Sequence, residues 1–108
     1  MEKPEASLAI LVLPQSVAGD EVLGIVDKVI AYIKGTGLKS VVGPFETTIE
    51  GNFDQLMEIA AECQRICIRE GASSTSLTRG LLTYMKMAYN PNGGVWSIDE
   101  KITKHNKH

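Results

Sequence analysis

Hydrophobic and polar positions along this chain switch between two periods, and the switches mark its elements. Ser7-Leu-Ala-Ile-Leu-Val-Leu-Pro14 is a continuous apolar run closed by proline. Its length and branched side chains predict a strand covered on both faces. Gln15 to Asp20 reads as a loop, after which Val22, Ile25, Val26, Val29, Ile30 and Ile33 recur at steps of three and four. That spacing predicts an amphipathic helix with Asp20 as N-cap, Glu21 in its first turn, and Gly35 and Gly37 closing it. Leu38 to Val42 reads as a short strand, Gly43-Pro44 as a turn, and Phe45 to Glu50 as an alternating strand that completes a hairpin. Gly51 breaks that strand, and Asn52 with Gln55 resembles a capping box. Phe53, Leu56, Ala60, Cys63 and Cys67 then mark a second helix running to about Glu70, with Gly71 as its stop. Ala72 to Gly80, rich in Ser and Thr, reads as loop, and Leu81 to Tyr89 as a fourth strand. Asn90-Pro-Asn-Gly-Gly94 is a turn. Ser97-Ile-Asp-Glu100 is a further capping box, which predicts a short C-terminal helix from Ile98 to about Lys104.

The order strand, helix, strand, strand, helix, strand, joined by right-handed crossovers, predicts an α+β ferredoxin-like βαββαβ plait with an additional short C-terminal helix. Both helices lie on one face of the sheet, and the first and third strands are expected to be central and parallel. One domain accounts for residues 1–108, with 1–6 as a flexible leader and 105–108 as a flexible tail.

A two-layer plait leaves one sheet face without helices. The first strand carries Leu8, Ile10 and Val12 on one side and Ala9, Leu11 and Leu13 on the other, so neither side is polar. The fourth strand offers Leu82, Tyr84 and Ala88 opposite Leu81, Met85, Met87 and Tyr89. A bare sheet this apolar marks an interface, and self-association is the expected cover. In the third strand Phe45, Thr47 and Ile49 share a face. If Phe45 and Ile49 meet the helices, Thr47 is a hydroxyl in an apolar layer. Thr83 has the same relation to Leu81 and Met85. Such hydroxyls need a partner, either backbone or a bound molecule, which makes Thr47 and Thr83 candidate ligand contacts.

Composition narrows the function classes. Apolar residues make up 44% and charged residues 22% of the 108 residues, and the formal net charge is −2. Scattered Lys and Arg form no stripe against a phosphate backbone, so nucleic acid is not an expected partner. The apolar run from Leu8 to Pro14 is far short of the roughly 20 residues that span a bilayer. With no secretory signal pattern at the N-terminus, a cytoplasmic location is expected. Cys63 and Cys67 read as core residues rather than a disulfide or metal pair, and His105 and His108 belong to the polar tail.

No catalytic constellation emerges. Gly35-Thr-Gly37 follows a helix and leads into a strand, the reverse of a phosphate cradle. Glu46 and Glu50 lie about 13 Å apart on a strand, too far to share a proton-transfer task. They suit a solvated or interfacial face, with Lys86 as a partner. No nucleophile, base and orienting group can be assembled, and no metal set is present.

Leu11-Val-Leu-Pro14, Gly43-Pro44-Phe-Glu-Thr47-Thr-Ile-Glu50-Gly51, Thr83-Tyr-Met-Lys86-Met and Ser97-Ile-Asp-Glu-Lys101 together resemble the thiamine-binding protein family of small bacterial and archaeal proteins. The similarity runs from about Ser7 to His105, and the Gly-Pro-x-x-Thr-x-x-Glu-Gly segment is its most specific part. The resemblance implies a ferredoxin-like fold assembled as dimers or tetramers through the sheets. It also implies a non-catalytic binding protein for thiamine or its hydroxymethylpyrimidine half, with no required cofactor. Thr47 stands at the threonine position associated with pyrimidine binding. Gln15 and Ser16, in the loop after the first strand, are further ligand-binding candidates, and Ser73 to Arg79 forms a connection longer than the family's usual one. Two competing readings remain: an oligomeric interaction or regulatory protein without such a ligand, and an enzyme using the same pocket.

Overall fold

In the computed structural model, which describes residues 3–14, 19–70 and 81–106, the opening apolar run becomes β1 (Ala6–Pro14). It is followed by α1 (Gly19–Gly35), β2 (Ser40–Val42), β3 (Thr47–Gly51), α2 (Phe53–Arg69), β4 (Leu81–Tyr89) and α3 (Ile98–Asn106). The four strands form one sheet in the order β2-β3-β1-β4, and every neighbouring pair is antiparallel. This is the ferredoxin-like plait with the added C-terminal helix. The central strands are β1 and β3 as anticipated, but they are antiparallel rather than parallel. The crossover through α1 brings β2 parallel to β1, and the hairpin then reverses the chain, so β3 must oppose β1.

Register fixes the faces. Leu8 pairs with Ile49 and Met87, and Ile10 with Thr47 and Met85. Leu8, Ile10, Val12 and Ile49 are all buried, and they pack with Ile25, Val29 and Ile33 of α1 and Leu56, Cys63 and Cys67 of α2. These residues form a single core between the sheet and the two helices. On the opposite face, β1 shows Ala9, Leu11 and Leu13 beside Lys86, Tyr84 and Leu82 of β4. Leu13, Leu82 and Tyr84 are exposed there.

Helix ends follow the capping chemistry. The Asn52 side chain accepts from the Gln55 N–H at 2.9 Å, and the Glu5 carboxylate accepts from the Phe53 N–H at 2.7 Å. At α3 the capping box is reciprocal: the Glu100 N–H donates to Ser97 Oγ and the Ser97 N–H to Glu100 Oε1, each at 3.0 Å. The α3 N-terminus is also tied to the sheet face opposite α1 and α2, the helix-free face of the plait proper, because Glu50 Oε2 accepts from the Ile98 N–H at 2.8 Å.

Four boundaries differ from those expected. Asp20 lies inside α1, which begins at Gly19. The third strand begins at Thr47, not Phe45, because the turn takes up Gly43 to Glu46. The stretch 3–6 is not a loose leader: Asn90 N–H donates to the Glu5 carbonyl, Val95 N–H donates to the Pro4 carbonyl, and Ala6 is fully buried in β1. At the other end α3 continues to Asn106. The expected stop at Gly71 and the Ser73–Arg79 loop lie outside the described residues.

Candidate functional site

The apolar stripe of α1 is wider than the core requires. Ile25, Val29 and Ile33 are buried against the sheet, whereas Val26 and Ile30 are only partly covered. These two form the outer wall of a cleft of about 150 Å³ between α1 and the sheet. Ile10 and Val12 of β1 and Thr47 of β3 supply its floor, and Pro44 and Phe45 stand at its rim.

The rim is a tight turn. The Gly43 N–H donates to the Glu46 carbonyl at 2.9 Å. A Cβ at position 43 would stand only 2.9 Å from that same oxygen, so glycine is required by the close approach. Pro44 fixes its own φ within the turn. Glu46 leaves the turn toward the helix-free face, where Lys86 Nζ holds its carboxylate at 3.1 Å across the small Ala9. That ion pair matches the partner expected for Glu46. Glu46 still belongs to the cleft's lining, which is aliphatic apart from Thr47, Phe45 and this carboxylate-bearing residue engaged by Lys86.

Thr47 is 8% exposed and lines the cleft. Thr83 does not join it. Thr83 pairs with Val12 on the far side of β1, so two inter-strand spacings, roughly 10 Å, separate it laterally from Thr47. Its hydroxyl oxygen is buried and has no hydrogen-bond partner among the described residues, an unmet donor and acceptor in an apolar layer. Gln15 and Ser16 lie outside the described residues, beyond Pro14, which pairs with Leu81 at this same end of the sheet.

Phe45 departs from its expected place. Rather than packing under the helices it is 79% exposed at the cleft rim, because the chain has not yet entered the strand. Alternation with Thr47 and Ile49 suggested a buried position, and only the Gly-Pro pair two residues earlier signalled otherwise. Val26 and Ile30 were visible as part of the helical stripe but not as cleft wall.

Two larger grooves, about 410 and 270 Å³, lie on the helix-free face. The first is floored by Ser7, Ala9 and Thr48 and edged by Lys86 and Lys101, and the second runs along Val41 and the Gly43–Glu46 turn. The Cys63 thiol is pushed up to about 12 by burial and by the nearby Cys67, and burial raises Cys67 as well, so neither is a nucleophile at neutral pH. Among the described residues no cluster of His, Cys, Asp and Glu could hold a metal ion. No helix among them is long and apolar enough to cross a membrane.

Residues 8–106 match the family described as thiamine-binding protein. An UPF0045 protein of Clostridium perfringens is 42% identical over 99 residues, covering 92% of this chain and 95% of that protein. Among solved structures, a domain of unknown function (DUF77) from Bacillus cereus superposes with a TM-score of 0.80 at 33% identity, covering 94% of this chain and 90% of its own. A Thermotoga maritima protein described as a candidate thiamine biosynthesis or salvage protein superposes with a TM-score of 0.77 at 26% identity, covering 95% of this chain and all of its own.

Proposed function

The chain belongs to the thiamine-binding protein family, and on that footing we propose that it binds the hydroxymethylpyrimidine moiety, free or as part of thiamine, in the cleft under α1. The observation that carries this reading is an aliphatic cleft of about 150 Å³ with Thr47 as the hydroxyl-bearing residue of its floor. A cavity of that order accepts a single six-membered ring, as apolar protein cavities of about 150 Å³ accept benzene. It is smaller than the roughly 300 Å³ at which pockets begin to enclose drug-sized molecules. The pyrimidine ring therefore enters and a thiazolium remains at the mouth. The engagement of Glu46 by Lys86 supports the same division, since the carboxylate in the cleft's lining is already paired and leaves a buried cation without a counter-ion.

Thr47 hydrogen-bonds the ring's polar edge. Gln15 and Ser16 are secondary contacts in this reading, whereas Thr83, two strands away from Thr47, takes no part in it. The protein holds and releases its ligand without transforming it, acts in the cytoplasm and needs no cofactor. It works as a homo-oligomer, in which a second copy covers Leu13, Leu82 and Tyr84.

Thermal-shift and calorimetric titration with thiamine, hydroxymethylpyrimidine and unrelated heterocycles test the proposal. Ligand at a hundredfold excess over its Kd stabilises the folded state by about 2.7 kcal/mol, which raises the melting midpoint by roughly ten degrees or more. Thr47→Val is expected to weaken binding about five- to tenfold, the loss of one hydrogen bond worth about 1 kcal/mol, with nearly unchanged stability. An unshifted midpoint with every pyrimidine, alongside intact assembly, would favour the interaction-protein reading.

A further inference from the structure

We propose that Phe45 is a ligand-stacking residue whose ring closes the mouth of the Thr47 cleft over a flat, neutral heteroaromatic ring. The inference rests on the binding reading above and adds the residue that selects for aromaticity.

Phe45 is the most exposed large apolar side chain among the described residues, at 79%. A phenyl ring left in water forfeits the favourable burial available to it. Its position is not that of a slack loop. The Gly43 N–H bond to the Glu46 carbonyl closes the turn below it, Pro44 precedes it, and Glu46 is anchored to Lys86. The backbone therefore presents an aromatic ring at a defined point, the preorganisation that lowers the ordering cost of binding.

The cleft beneath it lacks the matching surface. Ile10, Val12, Val26 and Ile30 give aliphatic walls that accept any apolar shape of the right size. A planar ring bound against them leaves one face toward the mouth, where Phe45 can stack on it. The other described aromatics are placed elsewhere. Phe53 and Tyr89 stack on each other with centroids 4.4 Å apart, Lys3 lies over Trp96, and Tyr84 is on the helix-free face. Tyr32, on α1, is partly buried against the core rather than in the cleft lining. Phe45 thus supplies a π surface to a site that otherwise discriminates by size and one hydroxyl.

The turn also borders the groove on the helix-free face, so a second copy of the chain is the competing occupant for this ring. The two are separated by titrating the full chain, wild type, Phe45→Ala, Phe45→Trp and Thr47→Val, with hydroxymethylpyrimidine and thiamine by calorimetry, while light scattering follows the molecular mass. Stacking predicts that Phe45→Ala binds both compounds about tenfold more weakly, with unchanged mass and melting midpoint. Phe45→Trp retains affinity and gains a fluorescence change on saturation that the wild type, with Trp96 alone, lacks. Affinity unchanged in Phe45→Ala while Thr47→Val weakens binding overturns the stacking role and leaves the binding reading intact. A drop in mass with unchanged affinity assigns the ring to self-association and overturns the proposal. Failure of the wild type to bind either compound removes the binding reading and this role with it.

Discussion

Cys63 and Cys67 sit one helical turn apart on the inner side of α2, and both are fully buried. Burial is the main reason the Cys63 thiol rises to about 12, with Cys67 adding to it. The thiolate is the reactive form, so at pH 8 a thiol reagent should label neither residue in the folded protein and both in denaturant. Rapid labelling of the native chain would show that α2 opens locally or packs differently. The same residues show how far sequence reaches at this scale. Free cysteines at helical spacing read as core, and core they are. Threonines in alternating strands are harder. Period-two patterning correctly turned Thr47 and Thr83 toward the helices, yet it carried no information on which side of β1 each would fall. Strand order decides that, and it places Thr47 in the cleft and Thr83 apart from it. Phe45 was misplaced because alternation extends past the true end of a strand, whereas the steric needs of a Gly-Pro turn end it.

Elements announced by local chemistry were the most legible. The Ser97–Glu100 capping box appears in the sequence and closes in both directions in the structure. Ser97→Ala is therefore expected to cost about 1 kcal/mol, read as a lower urea midpoint at pH 7. Glu100 titrates below its ordinary 4.5, held down first by the Ser97 backbone N–H and then by Lys3. For a carboxyl depressed on folding, the stabilisation is complete above the unfolded value and is lost as pH falls through the folded one. Glu100→Gln should thus lower stability at neutral pH and flatten part of the acid limb below about pH 4.5. A variant whose urea midpoint keeps the wild-type slope below that pH would mean the Glu100 charge contributes nothing to folding. Strand direction was less legible than strand existence. Each segment's pattern predicts a strand, but the parallel pairing expected of β1 and β3 required tracking chain direction through a crossover and a hairpin. That information belongs to the connections.

At the scale of the molecule, one face of the sheet is sealed by α1 and α2 while the other keeps Leu13, Leu82 and Tyr84 in contact with solvent. Double-sided apolar patterning in β1 foretold that imbalance. It did not foretell that α3 would be anchored on the same face through Glu50 and the Ile98 N–H. The proposed assembly uses the remaining apolar half. Tyr84→Glu introduces a charge there without touching the core, and it should reduce the mass in light scattering to that of one chain at micromolar concentration. An unchanged mass would relocate the interface.

The proposed binding turns on where a single aromatic ring is held, and amide chemical-shift mapping reads that position directly. Adding hydroxymethylpyrimidine to the isotope-labelled protein should move the signals of Gly43 and residues 45–47, with those of Ile10 and Val12 beneath the cleft and of Val26 and Ile30 beside it. Signals that stay fixed throughout the titration, or that move instead around Ala9, Thr48 and Lys86 on the opposite face, would contradict it.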